Sequence, residues 1–241
     1  MIVRAAVVPC PPLLVPELVT GALAETEPVR TACLAAATAL AQVSDEWIVV
    51  AADPAGPAWL GPDARGTLAG YGVDVPVALS AGADGSPDPE LALPALIAGW
   101  LRGQVAAGPV RVALLAPGLS AAEYARFGAQ LAAGSGPRTG LLVLGDGSNR
   151  HGLKSPGSQD ERAPGFDAAV AAALAAVDTS ALLGLDASLA AELNAGGVPA
   201  WQALAGAAEH RSWRATQYFS GAPFGVGYHV AVWDPRYADS P

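Results

Sequence analysis

Cysteine and histidine are scarce in this chain. Two Cys and three His occur among 241 residues, and every histidine lies beyond position 150. Two cysteines, Cys10 and Cys33, are too few for a disulfide scaffold. Charge is thin as well: 15% of residues are Asp, Glu, Lys or Arg, and the acidic excess of 22 over 13 leaves a net charge of −9. A phosphate-rich partner attracts basic surface, so this balance argues against nucleic acid and against anionic membrane. No apolar run approaches the ~20 residues of a membrane span before Gly, Pro or a charge breaks it. The start, "MIVRAAVVPCPP", lacks the long apolar region and small-residue cleavage site of a secretory signal, so a cytoplasmic protein is expected. No G-x-S-x-G elbow is present, and the "GVG" of 225–227 lacks the Lys and Ser/Thr of a phosphate loop.

What the chain has in quantity is small and apolar. Hydrophobic residues make up 52%, largely alanine, alongside 28 Gly and 21 Pro. This bias fits a GC-rich bacterial genome as much as any physical demand. One domain of this length buries roughly 70–75% of its unfolded surface and needs no staples. Cys33 lies in the helical stretch "VRTACLAAATALAQ" and reads as a small core residue.

Strands and helices alternate along the chain. Strands are expected at 2–8, 46–52, 73–79, 110–116 and 140–146, with Pro76 marking an edge, and two more in "SWRATQYFS" and "GYHVAVWD". Helices are expected at 27–43 with Thr26 as N-cap, at 89–104 with Pro94 in the first turns, and at 120–133 capped by Ser120. Three more are expected at 165–178, 186–196 and 199–210. Such alternation implies a single three-layer α/β/α domain with a largely parallel or mixed central sheet. The polar segment 148–165 has no periodicity and reads as a long functional or mobile loop.

In open α/β sheets ligands sit beyond the carboxyl ends of the strands. "PCPP" after the first strand places Cys10 there, and "AADPAGP" after the second places Asp53. "GDGSNRH" after the 140–146 strand places Asp146, Ser148, Asn149 and His151, and "SGAPFGVGYH" between the last two strands is a fourth segment. These segments, in this order, resemble the class III extradiol ring-cleavage dioxygenases of the B-subunit (LigB-like) type and their Memo-like relatives. The specific matches are "GDGSNR" followed by "FDAAVAAAL", and "APFGVGY". The resemblance implies an oxidoreductase ancestry and a fold that spans nearly the whole chain. In dioxygenase members two histidines and a glutamate hold a non-haem Fe(II), and a mid-chain histidine serves as acid/base. The matching positions here carry Cys10, Asp53, Gly221 and, for the mid-chain histidine, Asn149.

All four positions differ, so the resemblance implies a pseudoenzyme without the iron site: a binding protein for a small polar or aromatic ligand or for a partner. Its pocket would be lined by Cys10, Asp53, Ser148, Asn149 and Gly221, with no cofactor. The alternative is a rebuilt Fe(II) or Zn(II) centre at Cys10, Asp53 and His151, with Asp146 as base. Each residue also has a plain structural role open to it. Cys10 can fill a histidine-sized gap, Asp53 can cap the turn before Pro54, and Asp146 can organise its own loop. His151 can be a solvated loop residue, His210 and His229 read as structural, and His229 can face either side of its strand. Gly225 and Gly227 suit a tight turn or a close approach. Six tryptophans and an apolar composition suggest a homodimer.

Overall fold

The computed structural model describes residues 1–134, 137–209 and 211–236. The elements run β1 (Ile2–Val8), α1 (Leu23–Ala41), β2 (Glu46–Ala52), β3 (Ala58–Leu60), β4 (Arg65–Thr67), β5 (Pro76–Ala78), α2 (Leu93–Gln104) and β6 (Val110–Leu115). There follow α3 (Ala121–Ala133), β7 (Thr139–Leu144), α4 (Ala163–Ala176), α5 (Thr179–Leu183), α6 (Ala187–Glu192), α7 (Val198–Ala208), β8 (Trp213–Gly221) and β9 (Tyr228–Pro235). Seven strands form one sheet in the order β3-β6-β2-β7-β1-β9-β8. The four central strands, β6, β2, β7 and β1, are parallel, while β3 and the β8–β9 hairpin add antiparallel edges. This is the expected α/β domain.

The parallel strands are apolar except for Arg4, Glu46, Arg111 and Thr139 near their amino ends, because both faces of the sheet are covered. All six residues of β7 are buried. Strand alternation divides the core in two. Ala6, Val8, Val49, Ala51, Val112 and Val230 pack on one side with α1 and α2. Ala5, Val7, Ile48, Val50, Ala231 and Trp233 pack on the other with α4 and α7. Cys33 lies fully buried in the first of these layers, as expected.

Several boundaries differ from the sequence expectation, for physical reasons. Thr26 is not an N-cap. Helix α1 begins at Leu23, and the buried Thr26 hydroxyl donates back to the Ala22 carbonyl at 3.1 Å. Pro28 therefore lies inside the helix. Ser120 does cap α3, in a reciprocal capping box with Glu123. The strand around Pro76 leaves the central sheet and pairs with β4 as a two-stranded ribbon. The edge strand β3 was not expected. Its three residues carry too short a pattern to detect. Five of the six tryptophans, 47, 100, 201, 213 and 233, are buried within the chain, and Trp59 is the exposed one. Tryptophan thus serves mainly the chain's own core. His210 lies outside the described residues. Among the described residues no helix is long and apolar enough to cross a membrane.

Candidate functional site

Because β2, β7 and β1 are adjacent and parallel, the segments leaving their carboxyl ends meet on one rim. They enclose a cavity of about 360 Å³ lined by Cys10, Asp53, Asp146, Asn149, Asn194 and Tyr228, with Pro11, Pro12, Leu93, Pro94 and Val226 as apolar wall. The cavity shares Ala52, Asp53, Asn194 and Gly196 with a neighbouring hollow of about 440 Å³ that is walled mainly by Ala, Pro and Leu.

Burial sets the chemistry of this rim. It pushes the Cys10 thiol well above its ordinary range, and the nearby Asp146 and Asp53 charges push it further. The sulfur is therefore a neutral thiol near pH 7, not the thiolate that acts as nucleophile or ligand. The Cys10 backbone N–H donates to Asp146 Oδ1 at 2.8 Å. Burial nonetheless dominates at Asp146. Against that hydrogen bond, and with Asp167 adding repulsion, it pushes the carboxyl up to about 6. The Asp53 carboxylate accepts from the Ala55 N–H at 2.8 Å, the turn-forming bond open to an Asp before Pro54. Asn149 Oδ1 accepts from Asn194 Nδ2 at 3.1 Å and so ties the loop after β7 to the segment after α6. The phenol of Tyr228, buried against the cavity, is also pushed up, chiefly by burial.

A second polar cluster lies behind this rim. Asp167 projects from α4 and is 5% exposed. Its carboxylate accepts from the Ser148 N–H at 3.1 Å. His151 Nε2 lies 2.5 Å from Oδ2, and His229 Nε2 lies 3.2 Å from Oδ1. The approach is so close that glycine is required on two sides. A Cβ at Gly147 or at Gly227 would collide with the Asp167 carboxylate oxygens. Gly225, with φ of +76°, makes the turn that precedes this approach and lies against Ser155. The glycines of "GDGSNR" and "GVGY" and the aspartate of "FDAAV" thus belong to a single packed unit.

The structure brings Cys10, Asp53, Asp146 and Asn149 together, and it separates the other expected residues. Ser148 is not a pocket residue. It is fully buried, its hydroxyl donates to the Leu193 carbonyl at 2.9 Å, and it accepts from the Arg150 N–H. Gly221 does not line the rim cavity either; it borders a smaller hollow of about 170 Å³ beside Asp167. His151 lines that smaller hollow too and spends Nε2 on Asp167 rather than on the rim. Cys10, Asp53 and His151 therefore do not converge, and among the described residues no group of three His, Cys, Asp or Glu is placed to hold a metal ion. A protonated thiol and two carboxyls do not fit the imidazole-carboxylate set that an Fe(II) oxygenase needs. Sequence reasoning missed Asn194, Tyr228 and Asp167. Only Asp167 carried a signal, as a lone charge in an alanine-rich helix.

No protein-family model matches the chain, and no curated protein matches it. Among solved structures, the chain is similar to the crystal structure of an uncharacterized protein, JW3007, from Escherichia coli K12. The identity is 16%, the match covers 96% of this chain and 99% of that one, and the TM-score is 0.51. That likeness concerns the fold.

Proposed function

We propose that this chain is a cytoplasmic, extradiol-dioxygenase-like protein that has lost the iron site and binds a small hydroxylated, polar or aromatic molecule in the rim cavity. The supporting observation is the cavity's lining. It combines the carboxyls of Asp53 and Asp146, the amides of Asn149 and Asn194 and the phenol of Tyr228 with proline, leucine and valine walls, and it contains no imidazole. Acceptors set among apolar walls suit a flat ligand bearing hydroxyl donors. A neutral Cys10 thiol adds apolar surface without adding charge.

Catechol serves as the probe. Calorimetric titration is expected to give saturable binding that weakens in Asn149→Ala and in Asp53→Ala. Anaerobic addition of Fe(II), followed by oxygen, is expected to leave oxygen uptake at background. Iron-dependent uptake, or one-to-one Fe(II) or Zn(II) binding that disappears in Cys10→Ala, overturns the reading.

A further inference from the structure

Besides His151, the cluster around Asp167 includes a Ser–His–Asp relay that the rim cavity does not use. His229 sits on β9 with Ala231 and Trp233, the residues that face α4. Directly across the hairpin from His229 is Ser220 of β8. A bulge arranges this. Gln217 pairs with Ala231 but Phe219 pairs with Val230, so Tyr218 is an extra residue that shifts the alternation of β8. Without it Phe219 would stand opposite His229.

The hydrogen bonds define the roles. An ionised carboxylate only accepts, so the imidazole facing Asp167 Oδ1 at 3.2 Å carries its proton on Nε2. In the neutral ring with this tautomer Nδ1 is the bare nitrogen, and it lies 3.1 Å from Ser220 Oγ, placed to accept the serine hydroxyl proton. Trp201 meets the ring edge-on, with centroids 5.8 Å apart, and braces its orientation. Exposure follows the same gradient, for Ser220 is exposed while His229 and Asp167 are 2% and 5% exposed. His151 and the Ser148 N–H hold the second carboxylate oxygen. All three relay residues border the hollow of about 170 Å³, whose remaining wall includes Pro164, Ala168 and Ala222.

We infer that Ser220 is a nucleophile for short acyl esters, with His229 as its base and Asp167 as a positioning residue. Such a relay is recognised by geometry and role rather than by position in the chain. Ser220 Oγ would attack the acyl carbonyl while its proton passes to His229 Nδ1. Collapse of the adduct breaks the ester bond, and the alcohol leaves with that proton. Water then attacks the acyl-serine through the same imidazole, releasing the acid and restoring the serine hydroxyl. The small, apolar walls limit the acyl group to a short one.

The test uses p-nitrophenyl acetate as substrate and a fluorophosphonate as label. Wild-type protein is expected to hydrolyse the ester and to carry one phosphonyl adduct on Ser220, located by peptide mass spectrometry. Ser220→Ala, an exposed edge-strand change that leaves the core intact, is expected to lose the adduct and at least about 100-fold in kcat/KM. Asp167→Asn presents an amide N–H to Nε2, which drives the ring proton to Nδ1 and removes the acceptor for the serine hydroxyl. It is expected to lower kcat at least about tenfold with KM unchanged. Absence of the Ser220 adduct, or hydrolysis by Ser220→Ala at the wild-type rate, overturns the assignment.

Discussion

The rim cavity and the Asp167 cluster lie within one loop of each other yet handle polar groups in opposite ways. Around the rim, Asp53, Asp146, Asn149 and Tyr228 line the cavity, where Asp53 and Asp146 accept from backbone N–H groups and Asn149 accepts from Asn194. Around Asp167, two imidazoles and a backbone N–H converge on one carboxylate that has almost no exposure. The contrast shows where the chain invests its few titratable residues. Two of its three histidines serve the cluster, whereas the rim, the place where the resemblance implies metal-binding imidazoles, has none. A buried carboxylate with several donors organises the loops; carboxyls that accept a single backbone N–H keep acceptor capacity that a ligand can satisfy.

This comparison breaks most severely if Asp167 proves dispensable. Asp167→Ala leaves two imidazoles and the Ser148 N–H without their acceptor, and a loss of about 3–5 kcal/mol is expected in urea unfolding. A loss under about 1 kcal/mol would mean that the cluster does not organise the loops.

The rim is expected to respond in the other direction. Burial raises the Asp146 carboxyl from 3.8 to about 6, so the folded state holds this proton more tightly than the unfolded chain. Its contribution to stability is complete below the unfolded value and is lost as the pH rises through about 6. Asp146→Asn keeps an acceptor for the Cys10 N–H and removes the buried charge. It is expected to stabilise the protein by about 2–3 kcal/mol at pH 8 and to change little below pH 4, as read by urea titrations at the two pH values. Equal effects at both would show that Asp146 does not titrate with folding.

Smaller effects sharpen the boundary between the two regions. Gly227→Ala forces a methyl against the Asp167 carboxylate, and a cost of about 2 kcal/mol is expected from the thermal midpoint. Glycine-to-alanine at Gly70, which has open space around it, is the control and is expected to change little. Cys10→Ala is expected to cost about 1 kcal/mol at most, and the native Cys10 thiol is expected to resist maleimide at pH 7 until the chain unfolds. Rapid labelling of folded protein at Cys10 would show an ionised, accessible thiol and would reopen the rim to metal.

Much of the architecture is legible in the sequence alone. Strands of six or seven mainly apolar residues separated by helical periods point to a buried, mainly parallel sheet, because that arrangement covers both faces of such strands. The same reasoning placed Cys10, Asp53, Asp146 and Asn149 together, since each follows a strand whose carboxyl end must lie on one rim. Local signals of one turn or less, such as the Ser120 cap, were legible too, while Thr26 was misread because a cap and a buried first-turn threonine look alike without the upstream backbone.

Tertiary structure alone decided the side-chain partnerships. Which face His229 presents depends on the register of a hairpin, and that register depends on one bulged residue, Tyr218, that no alternation announces. Asp167, His151, Ser148 and Ser220 come from a helix, a loop and an edge strand up to 72 positions apart in the numbering. The strand end before it points Ser148 to the rim and the family resemblance points Gly221 there, but the Ser148 hydroxyl turns inward to the Leu193 carbonyl and Gly221 ends the edge strand β8 beside Asp167. Composition and period determine what must be buried and in which layer. The identity of the groups that meet there is a consequence of packing, because hydrogen bonds act over about 3 Å whereas sequence patterns locate a residue only to within an element.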